Sequence, residues 1–188
     1  LIIQEKNFFA TTFTTTKIPN LFCDNKILRK NLKFKMLILI SGTNSSGKSK
    51  TAENKLSEFK TPQKFYVATA KIFDDEMKAR VEKHKAMRAG KNFITIESEK
   101  NLADLNFPEN SSVLIESLTT WLANEIFDFQ ETQNPENFEI KIFNEIQILK
   151  SKCENLILVA DDIFSDGITY DEATEFYRKI LASLLIKT

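Results

Sequence analysis

An α/β fold with a mostly parallel sheet covered by helices on both faces is what this sequence predicts, on three observations. Short β-rich runs alternate with helical patterns from residue 36 onward, the mark of strand–helix–strand units. Several of those runs are apolar without interruption, as strands buried on both faces are. The first of them leads straight into a glycine-bounded turn, "GTNSSGKS", and then a helical pattern.

The run "MLILIS" (36–41) predicts the first buried strand. A helix is expected over 48–59, then "KFYVATA" (64–70) as the next strand and a helix over 74–88. "NFITIE" (92–97) reads as a third, shorter strand. "SVLIES" (112–117) is another buried strand, followed by a helix through "TTWLANEIFDF". Residues 139–152 read as a helix, with Ile140, Phe143, Ile146 and Ile148 or Leu149 near one stripe. "NLILVA" (155–160) is a further strand, and 171–186 a last helix. In such sheets ligands bind beyond the carboxyl ends of the strands. Four segments reach that end: 41–49, 69–75, 116–120 and 161–167. Their polar residues are candidates for a single site.

The 188 residues allow one domain with a sizeable core and are short for two. No apolar run approaches the length that crosses a bilayer, so a soluble globular protein is expected. The formal charge is zero, which gives no hint of nucleic-acid or membrane-surface binding. Cys23 and Cys153 have neither CxxC partners nor metal-ligand spacing, and fit a reduced, cytoplasmic setting. Residues 1–35 hold seven Lys or Arg against only Glu5 and Asp24, with a Thr-rich run, "TTFTTT". They lack the apolar region and cleavage site of a secretory signal, and an organellar transit peptide is one reading of them. Met36 offers a simpler one. Functional translation is expected to start there, with 1–35 an upstream artefact or a disordered arm and 36–188 the domain.

The turn at 42–49 matches the pattern GxxxxGK(S/T) in full. Gly42 and Gly47 let the backbone curl so that the N–H groups of the intervening Thr43, Asn44, Ser45 and Ser46 point at phosphate oxygens. Lys48 brings a cation to the β- and γ-phosphates, and Ser49 offers a hydroxyl to Mg²⁺. The helix beginning here adds its positive dipole end. A purely structural glycine turn is the competing reading. The placement between a buried strand and a helix favours nucleotide binding. Kinases, GTPases and ATPases all share this loop; the absence of an NKxD-like motif counts against a switch GTPase.

The stretch "DDEMKARVEKHKAMR" (74–88) contains the one histidine, His84. Met77, Arg80 or Val81, His84 and Arg88 fall on neighbouring turns along one side of a helix. The plain reading is a solvated residue on a charged face. The chemical reading is a nucleophile: nearby cations favour the neutral ring, whose lone pair can attack phosphorus. Arg80 and Arg88 would then hold phosphate oxygens.

The segments "LISGTNSSGKSKTAE", "FYVATAKIFDDEMKARVEKHKAMR", "LIESLTTWLANEIF" and "EIQIL…LILVADDI" follow one another in an order that resembles the bifunctional adenosylcobinamide kinase/adenosylcobinamide-phosphate guanylyltransferases. The resemblance runs from about Met36 to Ile180, and its most specific part is the "ATA…DDEM.AR…H" block. It implies a P-loop, RecA-like fold and two reactions of cobalamin biosynthesis. A nucleoside triphosphate, ATP or GTP, phosphorylates the aminopropanol hydroxyl of adenosylcobinamide. GTP then gives GMP to that phosphate, releasing pyrophosphate and forming adenosylcobinamide-GDP. The resemblance implies that the GMP is carried covalently on His84, with Mg²⁺ as cofactor and a homo-oligomer, a trimer, as the assembly. It makes Gly42, Thr43, Asn44, Ser45, Ser46, Gly47, Lys48 and Ser49 the triphosphate loop. Thr69, Ala70 and Lys71 resemble a nucleotide-contacting turn, and Lys85, Ala86, Met87 and Arg88 part of the guanylyl site. Glu97 and Glu116 stand where the family has nucleotide-contacting acids; Glu116 as a helix cap, and Asp74, Asp75 and Glu76 as first-turn acids, are the plain alternatives.

Two departures stand out. After "LILVA", a turn resembling "NEVG.GIVP" is replaced by "DDIFSDGITY", with Asp161 for Asn, Asp162 for Glu and Phe164 for the first Gly. Asp162 is a candidate for acid or metal chemistry. The family's closing C-terminal strand and polar "NQ" element are not recognisable, so an exposed sheet edge is expected. Two other functions compete with the leading one: a small-molecule kinase without guanylyl transfer, and a nucleotide-binding remnant.

Overall fold

The computed structural model describes residues 1–8, 35–72, 74–127, 135–164 and 167–188. Six strands form one sheet: β1 (Ile2–Phe8), β2 (Lys35–Gly42), β3 (Gln63–Ala68), β4 (Ile94–Glu97), β5 (Ser111–Ile115) and β6 (Asn155–Asp161). Five helices accompany them: α1 (Lys48–Glu58), α2 (Asp75–Arg88), α3 (Leu118–Phe127), α4 (Pro135–Lys152) and α5 (Glu172–Lys187). The strand order is β1-β2-β6-β5-β3-β4. Every pairing from β2 to β4 is parallel, so the predicted α/β fold is the one observed.

The apolar runs become strands because both of their faces are covered. Along β2, Leu37 and Leu39 join one core, with Trp121, Leu122, Ile142, Ile146 and Leu184 from α3, α4 and α5. Ile38 and Ile40 join the other, with Ala52 and Leu56 of α1. Strand β6 divides in the same way, Leu156 and Leu158 to the first core and Ile157 and Val159 to the second. A period of two with apolar residues on both sides is what turns alternation into a continuous run.

Two elements differ from expectation. Helix α4 begins at Pro135, ahead of the apolar stripe, because proline at a first helical position loses only an N–H that has no intrahelical partner. Residues 2–8, read as part of an arm without structure, form β1 and pair antiparallel with β2, Ile2 opposite Ser41 and Phe8 opposite Lys35. The backbone groups along that side of β2 need partners, and Glu5 adds a 3.0 Å ion pair to Lys55 of α1. The outer edge of β2 is therefore paired. Residues 9–34, including Cys23, lie outside the described residues. Cys153 is buried, which pushes its thiol up to about 12.

Candidate active site

The site starts where β2 ends. A Cβ on Gly42 would lie 2.6 Å from Ser46 Oγ, so any larger residue would push the Ser46 side chain out of its place. The Ser46 N–H donates to the Thr43 carbonyl at 3.3 Å. Asn44 Oδ1 accepts from the Ser45 N–H at 3.1 Å. Ser45 takes a φ of 58° and Gly47 one of 84°, and α1 then begins at Lys48. Left-handed residues within one turn are a feature of anion-binding nests, and here the Ser45 and Ser46 N–H groups are engaged within the loop itself. Ser46 Oγ is buried with no hydrogen-bond partner among the described residues.

A cavity of about 480 Å³ opens above this loop, lined by residues 44–50 together with Thr69, Ala70, Val81, His84, Glu116, Ser117, Thr120 and Asp161. That volume is within the range of small-molecule sites. Lys48 is buried, with Nζ 2.6 Å from Asp161 Oδ1 and donating to the Thr43 carbonyl at 3.1 Å. Asp161 Oδ2 accepts from Thr119 Oγ1 at 2.9 Å. The Thr119 hydroxyl also lies 2.7 Å from Ser117 Oγ, and the Thr119 carbonyl accepts from the Tyr177 hydroxyl at 3.0 Å. Burial, and then the Asp161 charge, pushes Tyr177 up to about 12. Ser49 lines the same cavity, and its hydroxyl is a hard oxygen donor of the kind Mg²⁺ accepts.

His84 is half-buried on the side of α2 that faces the cavity, with Nδ1 3.7 Å from Glu116 Oε1. That separation is an electrostatic contact and too long for a hydrogen bond. Glu116 is held at the end of β5, its N–H donating to the Val67 carbonyl at 3.0 Å. It does not cap α3. Ser117 does, its Oγ accepting from the Thr120 N–H at 3.0 Å. Behind Glu116, Tyr66 is almost wholly buried, and burial followed by the Glu116 charge drives its hydroxyl far above the ordinary range. The Arg88 guanidinium stacks on the Tyr66 ring, 3.7 Å from its centroid.

Comparison with known proteins decides which family this loop, cavity and histidine belong to. The profile described as "Cobinamide kinase / cobinamide phosphate guanyltransferase" matches residues 38–187. The chain belongs to this family. Two curated relatives agree, both named "Bifunctional adenosylcobalamin biosynthesis protein CobU". The one from Escherichia coli (strain K12) is 33% identical over 159 residues, covering 77% of this chain and 85% of the relative. The one from Salmonella typhimurium (strain LT2) is 31% identical over 157 residues, with the same coverage. As a member of a family of kinases and guanylyltransferases, the protein is a P-loop nucleotide-binding transferase.

The cobinamide kinase/guanyltransferase signature is only partly gathered into one place. The loop, Thr69, Ala70, His84 and Glu116 share the cavity. Thr69 turns its hydroxyl inward to the Ser117 carbonyl at 3.1 Å, and its own carbonyl accepts from Asn124 at 2.8 Å, so its side chain braces the strand ends. Lys71 is exposed, 3.9 Å from Glu99. Lys85 and Arg88 line a separate recess of about 270 Å³ with Gly90, Asn92, Phe93 and Thr95. Lys85 is also 2.8 Å from the exposed Glu97, whose hydrogen bond raises the lysine above its usual value. Ala86 is exposed; the side chains of Arg80 and Met87 lie outside the described residues. Asp162 uses its N–H on the Gly42 carbonyl at 2.8 Å and its Oδ1 on the Phe164 N–H at 3.1 Å. Of the two adjacent aspartates it is Asp161 that lines the cavity, a position within the strand-end segment 161–167 but not picked out by the motif. Among the described residues no helix is long and apolar enough to cross a membrane.

Proposed function

We propose that this protein phosphorylates adenosylcobinamide and then converts the product to adenosylcobinamide-GDP, with His84 carrying GMP between the two substrates. The observation that carries this reading is that His84 and the phosphate loop line one cavity. A histidine on a merely solvated helix face has no reason to open onto the triphosphate loop.

In the first reaction the aminopropanol hydroxyl oxygen attacks the γ-phosphorus and the bond to the β-phosphate oxygen breaks, releasing the nucleoside diphosphate and a proton. Lys48 and the loop N–H groups hold the phosphates, where charge stabilisation supplies most of the rate. Mg²⁺, held by the Ser49 hydroxyl, supplies further charge neutralisation when bound. In the second reaction a ring nitrogen of His84 attacks the α-phosphorus of GTP and pyrophosphate leaves. Glu116 on the Nδ1 side favours the tautomer with its proton there, which leaves the Nε2 lone pair for the attack. An oxygen of adenosylcobinamide phosphate then attacks the same phosphorus and the P–N bond breaks, restoring the imidazole. The reacting nitrogen rests on the His84–Glu116 contact, and a trimeric assembly on the family resemblance.

Incubation with GTP radiolabelled at the α-phosphorus, followed by mapping of the labelled peptide, tests it. The label is expected on His84, acid-labile, and absent from His84→Ala, which keeps kinase turnover and the parent's melting temperature. Labelling of His84→Ala at the parent level would overturn the histidine's role and leave a phosphate-loop kinase.

A further inference from the structure

Lys48 is a buried cation whose partners are the Asp161 carboxylate at 2.6 Å and the Thr43 carbonyl at 3.1 Å. A nucleotide phosphate needs the same ammonium group. Phosphate and Asp161 therefore compete for it, and a triphosphate entering without a counterion also meets the like charge of Asp161 in a confined cavity. The carboxylate cannot simply swing away, because Thr119 holds Oδ2 at 2.9 Å and is itself held by Ser117 and Tyr177. Only Oδ1 becomes available once Lys48 leaves. Ser49, the first-turn hydroxyl that follows Lys48, lines the same cavity as Asp161.

We propose that Asp161 makes nucleotide binding at this loop depend on a divalent cation: it yields Lys48 to the phosphates and turns Oδ1 to the cation beside Ser49. One carboxylate and one hydroxyl, with substrate phosphates and water completing the shell, is the usual way a protein holds Mg²⁺. The inference rests on the reading of 42–49 as a triphosphate loop, and goes beyond it by assigning a residue that holds the cation.

The test uses the full chain, the non-hydrolysable β,γ-imido analogue of GTP, and Mn²⁺ as the cation. Electron paramagnetic resonance reads Mn²⁺ binding in the presence of the analogue, and calorimetry reads analogue binding with Mg²⁺ and with a chelator. For Asp161→Asn, Mn²⁺ affinity is expected to fall by about tenfold or more, whereas analogue affinity in chelator rises by a few-fold to about tenfold. Asp161→Glu, which keeps the charge, retains most of the cation dependence. An Asp161→Asn chain whose Mn²⁺ affinity matches the parent's overturns the proposal. So does one that loses analogue affinity equally with and without cation, since that marks Asp161 as a mere brace for Lys48. A parent chain that binds the analogue under neither condition overturns the triphosphate-loop reading and this proposal with it.

Discussion

Lys48 and Asp161 form the closest charge pair facing the cavity, at 2.6 Å with the lysine buried. Truncating the lysine removes the cation proposed to neutralise the transferring phosphate and strands the carboxylate against Thr119 alone. Lys48→Ala is expected to slow both half-reactions by on the order of 10³-fold. Steady-state assays of phosphoryl and guanylyl transfer check this, and near-normal turnover in either would remove Lys48 from that reaction. At this scale the motif was legible and its partner was not. The strand pattern nevertheless holds the information. Along β6, Ile157 and Val159 face the α1 side, and a period of two puts Asp161, not Asp162, on the side of the helix that follows the phosphate loop. Glu116 presents the opposite case. A helix cap stood as the plain alternative to its site role, because side-chain direction at a strand–helix junction depends on which neighbour takes the cap, and here Ser117 does.

Strand β1 makes the sharpest element-level prediction. N–H groups of successive residues in an antiparallel edge strand point alternately toward the partner and away from it. Of Ile3→Pro and Gln4→Pro, one therefore deletes a ladder hydrogen bond to β2 and the other does not. The two are expected to differ by about 1–3 kcal/mol in stability, read from urea midpoints. Equal midpoints matching the parent would show that β1 adds nothing to the sheet. This strand was invisible to pattern reading because only its β2-facing edge is satisfied, Ile2 and Ile3 remain largely exposed, and its partners lie far along the chain, from Lys35 to Ser41. The parallel strands were legible for the reverse reason: burial on two faces writes itself as an uninterrupted apolar run. Helix α2 differs again. Among the described residues its contacts are the Lys85–Glu97 ion pair, the His84–Glu116 contact and Arg88 on Tyr66, whereas α3 buries Leu118, Trp121 and Leu122. Its amides are expected to exchange faster than those of α3, and to exchange faster still in high salt, as screening weakens exposed charge pairs. Hydrogen exchange followed by mass spectrometry reads both; protection equal to that of α3 would contradict the argument.

Across the whole molecule, the α3–α4 side of the core is closed by a polar cluster whose response to pH can be signed. Burial opposes ionisation of Glu125, but Lys141 at 2.7 Å, the Asn101 N–H at 2.7 Å and the Trp121 indole at 3.2 Å outweigh it and lower the carboxyl overall. A lowered folded value contributes stability that is present above the ordinary carboxylate range and is lost as pH falls through the folded value. Glu145 is opposite in sign: burial, then the charge of Glu125, raises it, and its Oε2 is buried with no hydrogen-bond partner among the described residues. Its contribution is favourable at low pH and is lost as pH rises through its raised value. The two variants therefore separate. Glu145→Gln removes a buried charge and is expected to stabilise the protein by about 1 kcal/mol at neutral pH, with the gain vanishing toward roughly pH 4. Lys141→Met leaves Glu125 buried without its cation. It is expected to cost about 1–3 kcal/mol at neutral pH, less than a fully enclosed pair because Lys141 is half exposed, and to cost progressively less in acid as Glu125 takes up a proton. Urea titrations of parent and variants across that pH range measure both trends. A Glu145→Gln gain that persists unchanged in acid would mean that the carboxyl's charge is not what the core resists, and the cluster would have to be read as a packing feature alone.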